Sequence, residues 1–193
     1  MNATALLAHA VGLTPIGRAY ARAAAGDPSI EFSSRALTEL DVTIALDDGE
    51  LQHIPSTGPL VVVANHPFGA LDGLLLLDVI GRIRNDAKLL GNRLLSCVPG
   101  LRNRLFLVDV FGKRSTAIPR NSGALRAALR WLMEGGCLVV FPAGEVAHQT
   151  DCGRIVDSAW QDSAAELALR SRASVVPVFI AGGNSRLFRA AGN

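Results

Sequence analysis

A histidine and an aspartate separated by five residues are the strongest candidates for chemistry in this sequence. His66 and Asp72 lie in the segment NHPFGALDG at 65–73, directly after the apolar run Leu60–Ala64. An imidazole that is held by a carboxylate through one ring nitrogen acts as a general base through the other. The pair therefore predicts proton-transfer chemistry, in which His66 is the base and Asp72 fixes its tautomer and steadies the imidazolium.

The elements around this pair are those of an α/β protein. The β-branched run Leu60–Ala64 predicts a buried strand, and Leu71–Ile80 predicts a helix. Pro67 and Gly69 predict the turn between them. Because ligands bind at the carboxyl ends of the strands in open α/β sheets, we expect His66 to lie at such a site.

A purely structural interpretation of the same residues is also open. An aspartate followed by Gly73 and four leucines is typical of a helix N-terminus, where a carboxylate accepts hydrogen bonds from free backbone N–H groups. A histidine at the end of a strand can simply be a satisfied polar residue. The spacing of His66 and Asp72 alone does not decide between a dyad and a helix cap.

Two later segments repeat the pattern of an apolar strand that ends in a turn. Residues 137–146, CLVVFPAGEV, end in a proline, a glycine and the carboxylate of Glu145. Residues 174–185, SVVPVFIAGGNS, open into a Gly-Gly-Asn turn. We expect the turn before Glu145 to share one site with His66, whereas a core strand and loop is the simpler interpretation of 174–185.

In order and spacing, the three segments resemble the motifs of the glycerolipid acyltransferase superfamily. The resemblance is to its bacterial hemolysin-like or ornithine-lipid-type branch, and it covers about residues 40–190. NHPFGALDG at 65–73 resembles the family's His/Asp motif, and FPAGEV at 141–146 resembles its Phe-Pro-Glu-Gly-Thr block. VPVFI at 176–180 resembles its later valine-proline block.

The sequence departs from the common pattern of that superfamily in two places. Five residues instead of four separate His66 from Asp72, and Ala143 stands where the common block has Glu. The hemolysin-like branch tolerates both departures. Since the absent glutamate belongs to the block that binds the acceptor, we expect Glu145 to take part of its role.

The resemblance implies transfer of a fatty acyl group from an acyl thioester, acyl-CoA or acyl-carrier protein, to a hydroxyl of a lysolipid-type acceptor. This co-substrate is the only cofactor implied. His66 and Asp72 would be catalytic, and the turn at Gly69 would supply backbone N–H groups to the oxyanion. The other substrate-binding residues expected are Asn65, Arg114, Arg120, Pro142, Gly144 and Glu145. The alternative is a catalytically silent lipid- or membrane-binding module on the same fold.

Length and composition predict a single hydrophobic core. The 193 residues, 49% of them hydrophobic, are enough for one domain without disulfides or metal. We expect an acyltransferase-type domain at 41–193, a mixed sheet flanked by helices, whose C-terminal end is shortened relative to its relatives. A helical segment at 1–40, facing either a membrane or the domain's own core, precedes it. The three cysteines lack the spacing of a zinc site and are expected to be buried.

Outside the three motifs, helical and strand patterns alternate along the chain. No Gly-x-Ser-x-Gly elbow, dinucleotide motif or P-loop is present, which argues against a serine hydrolase and a nucleotide enzyme. Helices are expected near 3–13, 15–25, 33–40, 122–134 and 158–171, strands near 42–46, 88–90, 105–108, 137–141 and 174–180, and a loop at 112–121.

The charge distribution points to an anionic partner. The net charge is only +2, but Arg82 to Arg130 holds eleven basic residues against two acidic ones. Such a block attracts the head groups of an acidic leaflet or the phosphates of a thioester donor. No stretch reaches the roughly 20 apolar residues that span a bilayer. We therefore expect peripheral binding to the cytoplasmic face of the inner membrane, through residues 1–26 and the basic block, and no nucleic-acid partner.

Overall fold

The structure is a computed structural model that describes residues 13–47, 49–109, 114–150 and 152–184. Within these ranges, side chains are described except at 13–15, 94, 99 and 114–120. The helix predicted near 3–13 lies almost wholly outside the described residues.

A five-stranded sheet in which every pair of neighbouring strands is parallel forms the centre of the described chain. A separate antiparallel hairpin follows its fourth strand. The α/β class is confirmed, and antiparallel pairing is confined to the hairpin among the residues described. The strands are β1 (Leu60–Ala64), β2 (Ala87–Asn92), β3 (Leu105–Val108), β4 (Cys137–Val140), the hairpin β5 (His148–Gln149) and β6 (Ile155–Val156), and β7 (Ser174–Val178), with the sheet order β3-β2-β4-β1-β7.

Helices connect the parallel strands and bring each of them back to the same edge of the sheet. The described helices are α1 (Leu13–Ala25), α2 (Phe32–Glu39), α3 (Ala70–Gly81), α4 (Arg114–Met133) and α5 (Ser163–Ser171). Helix α3 follows β1, α4 follows β3, and α5 joins β4 to β7. The carboxyl ends of the strands therefore share one edge, which we call the carboxyl edge.

Both faces of β1 are covered, which explains the uninterrupted apolar character of this strand. Leu60 and Val62 point into the core that contains residues of α1, α2 and α3. Val61, on the opposite face, packs with residues of α4 and α5. All three side chains are at most 1% exposed, so β1 is packed on both faces. The turn that follows β1 begins after Ala64.

The described part of the N-terminal helical segment packs on the domain itself. Ala23 of α1 and Phe32 and Leu37 of α2 are buried in the same core as α3, and Tyr20 packs against them. This is the second of the two orientations that the sequence left open. Residues 1–12 lie outside the description, so a membrane contact there stays a prediction.

Two predictions about secondary structure were wrong. Residues 42–46 do not form a strand: Val42 and Ile44 pack against the core, but no neighbouring strand pairs with them among the described residues. The loop expected at 112–121 is instead the start of α4, at Arg114. The first turns of this helix have low intrinsic helix propensity, which is why the sequence favoured a loop there, and α4 as a whole packs against β3 and β4.

The prediction that all three cysteines are buried was correct only for Cys137. Cys97 and Cys152 are exposed, and none of the three is in a disulfide. Burial raises the pKa of the Cys137 thiol to about 12, so this side chain stays neutral and acts as a small apolar residue.

Part of the basic block serves the fold. The guanidinium of Arg84 is 4% exposed, binds both carboxylate oxygens of Asp86 at 2.7 Å and donates to the carbonyl of Gly135. Lys88 lies over the ring of Trp131, 4.1 Å from its centroid. These two basic side chains interact within the protein, which reduces the number of positive charges available to an anionic partner.

No helix among the described residues combines the length and hydropathy required to cross a bilayer.

Candidate active site

His66 and Asp72 are brought together at the carboxyl edge. The chain leaves β1 at Ala64, turns through residues 65–69 and enters α3 at Ala70. This turn places Nδ1 of His66 2.9 Å from Oδ2 of Asp72. The side chain of Asp72 is fully buried and that of His66 is 17% exposed. The spacing of six positions therefore gives the hydrogen bond that the sequence predicted.

The carboxylate of Asp72 is also the cap of α3. Oδ2 accepts the backbone N–H groups of Phe68 at 2.9 Å and Gly69 at 3.0 Å, in addition to the bond from His66. One oxygen atom thus makes both the contact with His66 and the contacts expected of a helix cap, whereas the catalytic role of the pair stays a prediction. The other oxygen, Oδ1, is buried and has no hydrogen-bond partner among the described residues. The N-terminus of a helix favours the negative charge of such a carboxylate.

Gly69 makes this geometry possible. Its φ of 76° and ψ of −129° lie in a region that residues with a side chain rarely adopt. A Cβ at this position would also lie 3.2 Å from Cγ2 of Val146. The N–H groups of Phe68 and Gly69 are both bonded to Asp72, and the role of the turn at Gly69 in binding an oxyanion stays a prediction.

Phe141, the first residue after β4, supports the imidazole from one side. Its ring stacks on that of His66, with centroids 4.1 Å apart and planes inclined by 18°. The sequence placed Phe141 within a motif but gave it no role. With Nδ1 bonded to Asp72 and one ring face covered, Nε2 is the atom left for a substrate, and no partner for it occurs in the described structure.

The turn after β4 lies beside His66, as expected. The N–H of Gly144 donates to the carbonyl of Phe141 at 3.0 Å, and the N–H of Gln161 donates to the carbonyl of Pro142 at 3.0 Å. Gly144 has a φ of 75°, and a Cβ there would lie 2.8 Å from Nε2 of Gln161. Pro142 and Gly144 thus shape a tight turn, and their role in binding substrate stays a prediction.

Glu145 follows this turn on the surface. Its side chain is exposed and its Oε1 accepts a hydrogen bond from Oγ of Ser158. Two residues later, the N–H of Ala147 donates to the carbonyl of His66 at 2.8 Å. The segment that carries Glu145 is therefore attached directly to the histidine.

Asn65 joins the ends of two strands. Its Nδ2 donates to the carbonyl of Ile180 at 2.8 Å, and its Oδ1 accepts the N–H of Ile180 at 2.7 Å. Asn184 donates to the carbonyl of Pro67 at 3.1 Å. The segment after β7, for which the simpler interpretation was a core strand and loop, thus forms part of the site. The amide of Asn65 is engaged, and its predicted role in binding substrate is untested.

Arg114 and Arg120 lie in the first two turns of α4. Their side chains are outside the described part of the structure, so their role as anion ligands remains a prediction.

Sequence reasoning missed Asp157 and Trp160. Oδ1 of Asp157 accepts the backbone N–H of His66 at 3.1 Å, and its Oδ2 accepts Nε1–H of Trp160 at 2.9 Å. Neither residue belongs to a motif, and 91 positions separate Asp157 from His66, so no spacing signal was available.

No cluster of three or more His, Cys, Asp or Glu side chains that could hold a metal ion occurs within the residues described.

Comparison with known proteins identifies the family of this chain. A family model described as acyltransferase matches residues 19–192. Lyso-glycine lipid O-acyltransferases of Phocaeicola vulgatus and Bacteroides thetaiotaomicron are 26% and 27% identical to the chain over 160 and 165 residues. Each match covers 82% of this chain but only 54% and 56% of the relative, so the chain spans about half the length of these curated relatives.

Among solved structures, the 1-acyl-sn-glycerophosphate acyltransferase PlsC from Thermotoga maritima is similar with a TM-score of 0.48 and 19% identity. The match covers 89% of this chain and 70% of that one. Since the family model extends over nearly the whole sequence, including all three motifs, this chain belongs to the acyltransferase family.

Proposed function

We propose that the protein transfers a fatty acyl group from an acyl thioester to a hydroxyl of a lysolipid-type acceptor, with His66 as general base. The observation that carries the proposal is the hydrogen bond between Nδ1 of His66 and the buried carboxylate of Asp72, which leaves Nε2 for the substrate. Family membership supports acyl transfer, and the names of the two curated relatives support a lysolipid acceptor.

The reaction follows from the position of the two nitrogens. As the acceptor oxygen attacks the thioester carbonyl, its proton moves to Nε2 of His66. The ionised Asp72 stabilises the resulting imidazolium through Nδ1–H. Collapse of the tetrahedral intermediate breaks the carbon–sulfur bond, and Nε2–H returns the proton to the departing thiolate. The products are the acylated lipid and a free thiol, and no covalent acyl-enzyme is required.

Acyl-CoA and acyl-carrier protein are the two donors that the proposal includes. Both carry a phosphopantetheine thioester, so the same attack applies to either. Arg114 and Arg120 are the proposed ligands of a phosphate or carboxylate, because a guanidinium forks onto either anion. Glu145, which is exposed and lies two residues before the residue bonded to His66, is the proposed contact to the polar end of the acceptor.

We further propose peripheral binding at the cytoplasmic face of the inner membrane. Two large aromatic side chains at the carboxyl edge support membrane binding: Trp160 is 49% exposed and Phe179 is 81% exposed. Trp160 precedes α5, and Phe179 precedes Ile180, which is bonded to Asn65. Aromatic side chains are favoured at membrane–water interfaces. Placed there, they would bring His66 close to a lipid acceptor.

The test is incubation of purified protein with radiolabelled acyl-CoA or acyl-carrier protein and a panel of lysolipids that includes lyso-glycine, lyso-ornithine and lysophosphatidic acid species. We expect a labelled diacyl product with at least one acceptor, and none with the His66→Ala variant. Release of free fatty acid alone would identify a thioesterase. Vesicle binding without turnover on any donor and acceptor would favour the silent binding module.

A further inference from the structure

The carboxylate of Asp157 joins the backbone of His66 to an exposed indole. Asp157 lies between the hairpin β5–β6 and helix α5, and it is half-buried. One oxygen accepts the N–H of His66 at 3.1 Å, and the other accepts Nε1–H of Trp160 at 2.9 Å. Both acceptor oxygens of the carboxylate are therefore used, and one is used by the peptide of the proposed base.

His66 needs such a partner because it lies beyond the sheet. The pairing of β1 with its neighbours ends at Ala64, so no strand is available to accept the N–H of His66. The carbonyl of His66 accepts the N–H of Ala147, which precedes the hairpin. The C=O and N–H groups of His66 are thus bonded to the first and the last residue of one segment, 147–157, which contains the hairpin.

We propose that Asp157 is a positioning residue for His66, acting on its backbone while Asp72 and Phe141 act on its ring. This inference rests on the proposed function of His66 as base. Fixing Cα of His66 sets where Nε2 lies relative to the acceptor hydroxyl. Because a misplacement of about 1 Å can cost roughly 100-fold in rate, a single hydrogen bond to the backbone is enough to matter.

Trp160 holds Asp157 in the orientation that this bond requires. A carboxylate offers two acceptor oxygens to two N–H donors, whereas an asparagine offers one oxygen and an NH₂ group. In an Asp157→Asn variant, either His66 or Trp160 would face that NH₂ group and lose its bond. An asparagine at position 157 therefore keeps only one of the two hydrogen bonds, and we expect it to replace the aspartate only in part.

The experiment compares Asp157→Ala, Asp157→Asn and Trp160→Phe with Asp27→Ala as the matched control. Asp27 also accepts a backbone N–H, that of Ser29 at 2.9 Å, but in the turn between α1 and α2. We expect kcat to fall about 10- to 100-fold in Asp157→Ala with little change in KM, less in the other two site variants, and not at all in Asp27→Ala.

A second readout does not depend on activity. The low-field NMR signal of the Nδ1 proton of His66, assigned by its loss in His66→Ala, should shift or broaden in the Asp157 variants at temperatures where they remain folded. Wild-type kcat together with an unmoved signal in Asp157→Ala would overturn the proposal, as would a loss of kcat that merely tracks the melting temperature. If the wild-type protein transfers no acyl group, the proposed function fails, while the NMR signal still decides whether Asp157 positions His66.

Discussion

The imidazole of His66 stacks on the phenyl ring of Phe141, with the ring centroids 4.1 Å apart and the planes inclined by 18°. The two residues follow β1 and β4, which are neighbouring parallel strands paired through Val63 and Val140. Such a ring pair contributes about 0.5–1.5 kcal/mol beyond the burial of its area. The stack fixes the plane of the imidazole, and the bond to Asp72 determines which nitrogen faces outward.

Removing either member of the dyad should abolish most turnover. We expect His66→Ala and Asp72→Asn to lower kcat by about 10²–10⁴, because the first removes the base and the second no longer stabilises the imidazolium. Steady-state kinetics on protein shown to be folded by circular dichroism provides the measurement. Asp78→Asn, the same change farther along α3, is the control and should retain activity. Near-normal turnover in folded His66→Ala would end the assignment.

Gly69 should not tolerate a side chain. Its positive φ and the 3.2 Å approach of Val146 predict that Gly69→Ala lowers the free energy of unfolding by about 1–3 kcal/mol. Gly123→Ala is the matched control. No atom lies within 4 Å of a Cβ at Gly123, in the middle of α4, so alanine should stabilise the protein by about 0.5–1 kcal/mol. Urea unfolding monitored by fluorescence compares the two, and equal effects would refute the strain at Gly69.

Glu145 should affect the acceptor more than the donor. Glu145→Gln removes the charge but keeps an oxygen that can accept the bond from Ser158, so the local fold should persist. We expect KM for the acceptor to change several-fold while KM for the donor stays within about twofold, because binding of one substrate is altered. Glu134→Gln, at the opposite edge of the sheet, is the control. Equal changes for both substrates would assign Glu145 a structural role.

Membrane binding should depend on the two exposed aromatic residues of the carboxyl edge. We expect Trp160→Ala and Phe179→Ala each to reduce flotation with anionic vesicles, and the double variant to reduce it further. Leu169, which is 80% exposed in the last turns of α5 at the other edge, provides the control. Leu169→Ala should float like the wild-type protein.

Vesicle composition and salt test the electrostatic part of the same proposal. Each basic residue near an anionic surface contributes about 1 kcal/mol at low ionic strength, so higher salt should weaken recovery with anionic vesicles. Zwitterionic vesicles should bind less protein than anionic ones. Equal and salt-insensitive recovery with both kinds of vesicle would contradict the role of the basic residues. Unchanged flotation of the aromatic double variant would contradict the insertion of the carboxyl edge into the membrane.

Elements with an uninterrupted apolar run were predictable from the sequence. The strands β1 and β3 have the predicted bounds, Leu60–Ala64 and Leu105–Val108, because each is a continuous apolar run without a polar interruption. The start of α4 was not predictable. Its first turns have weak helix propensity, so local sequence patterns favour a loop there, and α4 as a whole packs against β3 and β4.

The sequence by itself indicated the bond between His66 and Asp72 as one of two interpretations, because only a short turn with a proline and a glycine separates the two residues. Contacts across long sequence separations required the tertiary structure. Asn65 meets Ile180 across 115 positions and Asp157 meets His66 across 91. Such pairs carry no local periodicity, because only the fold brings these distant segments together. The tertiary structure thus decided what holds the backbone of the histidine in place, while the sequence indicated which carboxylate its imidazole meets.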